Sequence, residues 1–273
     1  MSMTSPYARS LRITSLVLAA GAVACGLANL RAPQMDALAQ DAKPATPVLV
    51  ELFTSEGCSD CPPADDLLAR LDTEQFVPGV HAIVLSEHVT YWNHQGWNDP
   101  FALGLVDFRQ KDYQERFGLA SMYTPQMVVD GTEQFVGNSL KALDRAMAQA
   151  VAAPKQPLEI SDAAFDEGSK GGIHFTARMQ ATDGVHLYAA VAQDVTRSDV
   201  KGGENNGRTL HHVAVMRQLK EFKLNFADGR ALWVSASGVD KGKDAGAVRL
   251  VIFLVDAHTG HVVAAAEKPL ARP

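Results

Sequence analysis

Val48-Leu49-Val50-Glu51-Leu52-Phe53-Thr54-Ser55-Glu56-Gly57-Cys58-Ser59-Asp60-Cys61-Pro62-Pro63 is the stretch whose reading decides the fold. Val48 to Phe53 is β-branched and apolar with little alternation, as expected of a strand buried on both faces of a sheet. Pro62 and Pro63 stand where a helix should begin, since first-turn amides have no intrahelical partner to lose. Leu67, Leu68 and Leu71 continue at helical spacing, and a second apolar run from His81 to Leu85 completes strand, helix, strand. That order is a βαβ unit with a parallel pair. The Cys-x-x-Cys lies between strand and helix, which predicts Cys58 near the N-cap and Cys61 one turn further in. Helix amides and the macrodipole would then favour a thiolate on Cys58, the attacking nucleophile, with Cys61 as the resolving thiol. Two other readings stay open. An inert disulfide closes so short a loop that it restrains the unfolded chain little. A copper or zinc site would use both sulfurs with His88, His94 or Met127, yet no second cysteine pair completes a tetrahedral set.

Further along, a polar aromatic loop runs from His88 to Phe101 with Tyr91, Trp92, His94, Trp97 and Pro100. Trp92 and Trp97 line a substrate groove beside Cys58 or form a packed lid. His88 is a candidate for proton transfer to a leaving thiolate, or a surface residue. A helical pattern spans Leu103 to Phe117 and stops at Gly118. Tyr123-Thr124-Pro125 precedes Gln126 to Val129, the turn Asp130-Gly131, and Gln134 to Val136, which together read as a hairpin. An Ala-rich helix from Ser139 to Ala152 follows, and Pro154 and Pro157 mark a boundary. Strand, helix, strand, helix, proline, hairpin, helix is the order of a thioredoxin-like domain, here over residues 46–154. It predicts a cis Thr124–Pro125 bond facing the cysteines, with Pro125 as a platform for substrate backbone and Thr124 beside it. Glu56, Asp60, Asp65 and Asp66 surround the helix start and oppose a thiolate on Cys58.

Beyond Pro157 the texture changes to runs separated by turns: Leu158 to Phe165, Ile173 to Met179, Val185 to Gln193, Leu210 to Phe222, Ala231 to Ser235, Val248 to Val255 and Val262 to Ala266. These seven strands predict an all-β, immunoglobulin-like sandwich domain over 157–270. Within it Asn205, Arg208, Thr209, His211 and Arg217 form a polar motif, read either as a site or as ties from an irregular turn to the neighbouring domain. No Ser-His-Asp spacing, phosphate loop or metalloprotease motif is present.

A chain of 273 residues accommodates two such domains. Acidic residues outnumber basic ones, 31 to 25, and the basic ones are dispersed, which argues against nucleic acid. Arg9 and Arg12 followed by the uncharged run Ile13 to Leu30 have the order of a secretory signal, assigned to residues 1–39. Cleavage follows Ala37-Leu38-Ala39, or else Ala22-Val23-Ala24 before Cys25, where a weak lipobox would acylate Cys25. A retained anchor is a third reading. The expected location is periplasmic or secreted, with a membrane involved only if the segment is retained or Cys25 acylated. An oxidising compartment suits a cycling cysteine pair.

The residues Glu51 to Asp65, Tyr91-Trp92-Asn93 with Gly96-Trp97 and Asp99-Pro100-Phe101, Arg109-Gln110 with Tyr113, Tyr123-Thr124-Pro125-Gln126, Val129-Asp130-Gly131, Gly137, and Gly203 to Leu210 with His211, Val215 and Arg217 resemble the secreted bacterial family known as domain of unknown function 1223. The resemblance implies a thioredoxin-like domain with a β-rich partner, and no substrate. His212 and Met216 depart from it, standing where a polar residue and Val are expected. The function expected is an exported thiol–disulfide oxidoreductase acting on protein thiols or disulfides with a reductase or oxidase partner. Cys58, Cys61 and Pro125 would be catalytic and Thr124, Trp92 and Trp97 substrate-binding, with His88 moving protons and neither cofactor nor metal. The alternatives are a copper- or zinc-handling chaperone and a non-catalytic interaction module built on the β domain.

Overall fold

A computed structural model describes residues 44–166, 171–180, 183–223, 230–242 and 245–271. The signal segment assigned to 1–39 and the acylation of Cys25 lie outside the described residues. The first elements are β1 (Thr46–Thr54), α1 (Pro62–Glu74), β2 (Val80–His88), α2 (Gly104–Arg116), β3 (Gln126–Val129), β4 (Glu133–Val136) and α3 (Leu140–Ala152). The remaining strands are β5 (Leu158–Phe165), β6 (Gly172–Met179), β7 (Val185–Asp199), β8 (Thr209–Lys223), β9 (Arg230–Ser235), β10 (Val248–Asp256) and β11 (Val262–Leu270). Among the described residues no helix is long and apolar enough to cross a membrane.

Local chemistry explains the helix ends. Pro62 and Pro63 occupy the first turn of α1. The helix ends on Gln75 in the left-handed region (φ 47), whose amide N–H bonds Leu71 O. The Gln75 side chain then grips the backbone of Ala82, accepting from its N–H at 2.8 Å and donating to its carbonyl at 3.0 Å. It acts there as a one-residue substitute for a strand partner. Asp107 in the first turn of α2 accepts from the Thr90 amide at 2.8 Å, and Ser139 caps α3 through Ala142 N.

The thioredoxin-like domain followed by a separate immunoglobulin-like sandwich is not what the chain builds. All seven strands expected after Pro157 form, but four of them extend the first sheet. The large sheet has the order β11-β10-β7-β8-β2-β1-β3-β4, and β5-β6-β9 make a smaller one. The seam is β8 running parallel to β2, with Ser86 opposite Val215. The physical reason lies in β7 and β10, which are apolar on both faces. Ala190, Ala192, Val251, Phe253 and Val255 join the core containing β1, β2 and the helices. Leu187, Ala189, Val191, Leu250, Ile252 and Leu254 point the other way, into a core shared with the three-stranded sheet. Strands that bury both faces belong in the middle of a layered structure, not on the face of a separate sandwich. The outcome is a mostly β, mixed-sheet protein.

Candidate functional site

The cysteine turn hangs between the end of β1 and the start of α1. Cys58 N bonds Ser55 O at 3.2 Å, Cys61 N bonds Cys58 O at 3.2 Å, and Cys61 O accepts from Ala64 N and Asp65 N at 2.8 and 3.1 Å. Cys61 has helical angles (φ −78, ψ −39) and is itself the N-cap. The expected placement is therefore shifted by a turn: Cys61 opens the helix and Cys58 precedes it. The two form a disulfide with Cα atoms 5.4 Å apart. Both are buried, Cys58 at 1% exposure and Cys61 at 0%. Neither cysteine is therefore exposed at the helix start.

The Thr124–Pro125 peptide is cis, as expected from its place before the hairpin. Two contacts bring it toward the cysteine turn. Gly137 donates to Pro125 O at 2.9 Å, and a Cβ on Gly137 would lie 2.7 Å from Leu52 Cδ1, 3.0 Å from Ala64 Cβ and 3.2 Å from Pro125 Cβ. Only glycine lets the proline approach the first turn of α1 so closely. Trp92 supplies the second contact. Its indole N–H donates to Thr124 Oγ1 at 2.7 Å, while its Cβ stands 3.5 Å from the Cβ position of Gly57. Gln110 on α2 holds the same segment by donating to Tyr123 O at 2.7 Å and Gln126 Oε1 at 3.0 Å.

Behind the turn lies a buried polar cluster that sequence reasoning did not assemble. Glu56, fully buried, is its centre. Its amide donates to Asp99 Oδ2 at 2.9 Å, and its carboxylate accepts from Trp97 Nε1 at 2.8 Å and meets His212 Nε2 at 3.3 Å. His88 is buried, not a surface residue: its Nδ1 lies 2.8 Å from Asp99 Oδ2, and its Nε2 has no hydrogen-bond partner among the described residues. The His88 and His212 rings meet edge to face at 4.7 Å, with Phe101 against both. Asp65 stands 3.8 Å from His212 Nδ1. Burial, opposed in part by His212, raises its pKa from 3.8 to about 7. Asp99 goes the other way. Burial opposes its ionisation, yet His88 and the amides of Glu56 and Phe101 outweigh it and hold the carboxyl at about 2.

A second buried cluster sits lower in the sheet. Arg109 pairs with Glu51 and lies 3.8 Å from Glu87, while Tyr113 OH donates to Glu51 at 2.5 Å. Burial and the Glu51 charge push Glu87 well above the usual carboxylate range. Arg109 overcomes burial to draw Glu51 below it. The guanidinium also faces the rings of Tyr113, Tyr188 and Phe253, so residues from both halves of the chain enclose it.

From the second half, Asn205 is fully buried and donates to Glu56 O and Cys58 O, each at 2.8 Å. Arg208 fixes its amide by donating to Asn205 Oδ1 at 3.0 Å. The polar motif thus ties an irregular turn to the cysteine turn, and Asn205 carries the tie. Thr209 and His211 are exposed, and Arg217 reaches over Phe101. His94 is exposed and Met127 is buried in the core. Among the described residues no three His, Cys, Asp or Glu side chains form a group able to hold a metal ion. Glu56 and His212 gave no signal as a pair, since 156 residues separate them.

Fold and site together define a mixed-sheet protein with a buried Cys-x-x-Cys disulfide at a helix start and a cis-proline that packs near the first turn of the same helix. The chain belongs to the family described as protein of unknown function DUF1223, whose model matches residues 49–254. No curated protein matches it. Two solved structures resemble it in fold. One, a structural-genomics protein from Agrobacterium tumefaciens, has a TM-score of 0.60 at 24% identity, covering 83% of this chain and 95% of that one. The other, HBP35 of Porphyromonas gingivalis, has a TM-score of 0.61 at 14% identity, covering 84% of this chain and 76% of that one.

Proposed function

We propose that this protein is an exported thiol–disulfide oxidoreductase that exchanges electrons with protein dithiols or disulfides through Cys58 and Cys61. The observation that carries the reading is the disulfide at the start of α1, where the helix macrodipole favours a thiolate on the adjacent sulfur. In the reducing direction a partner thiolate attacks Cys58 Sγ, the S–S bond breaks, and its electron pair leaves on Cys61, which takes up a proton. A second partner thiol loses its proton, attacks the partner's own sulfur in the mixed disulfide, and releases Cys58. The partner gains a disulfide and this protein a Cys61 thiol and a Cys58 thiolate; two electrons have moved, and the proton lost by the second partner thiol balances the one taken up at Cys61. The reverse direction uses the same steps. Pro125 and Thr124 would flank an incoming chain, with Trp92 and Trp97 at the rim. His88, whose Nε2 has no partner among the described residues, is the proton-transfer candidate.

The test is trapping in an exported expression system. Cys61→Ala leaves Cys58 without its resolving thiol and is expected to accumulate covalent partners that dissolve on reduction. Cys58→Ala is expected to accumulate far fewer. Absence of trapped species with either variant, while both are folded and exported, refutes the proposal.

A further inference from the structure

The burial of both sulfurs leaves an exchange protein with a problem: an attacking thiolate must reach Cys58 Sγ in line with the S–S bond, and Cys58 is 1% exposed. Part of what packs on the cysteine turn comes from the other half of the chain. Between β7 and β8, residues 200–208 form a turn closed at its base by Val200 N to Arg208 O and Gly207 N to Val200 O, both 2.9 Å. Its tip rests on the cysteine turn. Asn205 donates to the carbonyl of Cys58 itself, and the Glu204 carboxylate accepts from Ser59 N at 2.9 Å. It also rests on the aromatic loop, where a Cβ on Gly202 would lie 2.2 Å from Gly96 O.

We infer that the 202–208 turn is a lid on the disulfide, and that thiol exchange at Cys58 requires it to lift. The inference rests on the redox reading of the same two sulfurs and adds its regulation. Three features suit a lid. The turn is held to the cysteine turn by a few polar side-chain bonds and not by a strand ladder, so it can release as a unit. Gly203 and Gly207 have positive φ, 66 and 83, and supply backbone freedom at both sides of the tip. Glu204 is exposed, so an arriving protein can compete for it. The lid selects partners: a protein able to displace Glu204 and Asn205 gains the disulfide, and free small thiols in the compartment do not.

The experiment measures the rate at which tris(2-carboxyethyl)phosphine reduces the disulfide in the full chain, quenched by alkylation and read by mass. The wild type is expected to reduce far more slowly than the same disulfide in urea. Asn205→Ala removes two bonds to the cysteine turn and is expected to reduce about tenfold faster; Glu204→Ala removes one and should be severalfold faster. Equal rates for the wild type and both variants, with unchanged circular dichroism, overturn the lid. So does a wild-type rate that matches the urea-unfolded chain. If Asn205→Ala fails to fold, the exposed Glu204→Ala decides alone. Because a phosphine needs no partner protein, faster reduction of the variants supports the lid even if trapping fails and the redox proposal falls.

Discussion

Asp65→Asn isolates the buried acid beneath the cysteine turn. Burial, offset in part by His212, raises the Asp65 pKa from 3.8 to about 7, while the unfolded chain titrates at the ordinary value. Between about pH 4 and pH 7 the folded protein therefore holds a proton that the unfolded chain has released. Raising the pH across that window favours unfolding, and the effect levels off once the folded carboxyl ionises as well. At about 1.4 kcal/mol per pKa unit, the shift corresponds to a loss of up to about 4 kcal/mol from the acid side of the window to the other. Asparagine keeps the shape and cannot titrate, so the variant lacks this loss. Urea unfolding of the oxidised protein and the variant at a series of pH values measures it. The variant's stability minus that of the wild type should grow by up to about 4 kcal/mol between about pH 4 and pH 8. Contributions common to both proteins largely cancel in the difference. A difference that stays flat across the window would show that Asp65 is already ionised in the folded protein, and the reasoning about its burial would be refuted.

Asp99 should behave oppositely, because its folded pKa of about 2 lies below the unfolded value. Its contribution is present above about pH 4 and lost as the pH falls toward 2. Asp99→Asn should cost about 2 kcal/mol at neutral pH by urea unfolding and flatten the acid limb; a cost under about 0.5 kcal/mol would contradict the His88 pairing. A fragment ending at Pro154 should fail to fold, because it strips β8 from the edge of β2 and uncovers core contacts made by Ala190, Met216, Val251 and Phe253. Each large apolar side chain so exposed forfeits about 1.5–3 kcal/mol, against a total of about 5–15 kcal/mol for a whole domain. A cooperative melt by circular dichroism would sink that expectation.

How much of this was legible differs between element and assembly. Val48 to Phe53, the Pro62-Pro63 start and the Asp130-Gly131 turn carry short-range signals, periodicity and backbone preference, and each produced the element expected of it. The cis bond before Gln126 was likewise readable from order along the chain. The sequence by itself also determined the cysteine spacing, hence a disulfide that can close across one turn. What it left undecided was which strands share a sheet. The run Val248 to Val255 is nearly continuous in apolar residues, the mark of a strand covered on both faces, and weighing that over the strand count would have argued against a free-standing sandwich. Pairing of β2 with β8, the meeting of Glu56 with His212, and the hold of Asn205 on Cys58 were decided only by the tertiary structure. They join residues more than a hundred positions apart, and contacts at that range leave no periodicity in one chain. They form because burying both faces of β7 and β10 forces the two halves into one sheet, and the polar groups trapped at the seam must then find each other.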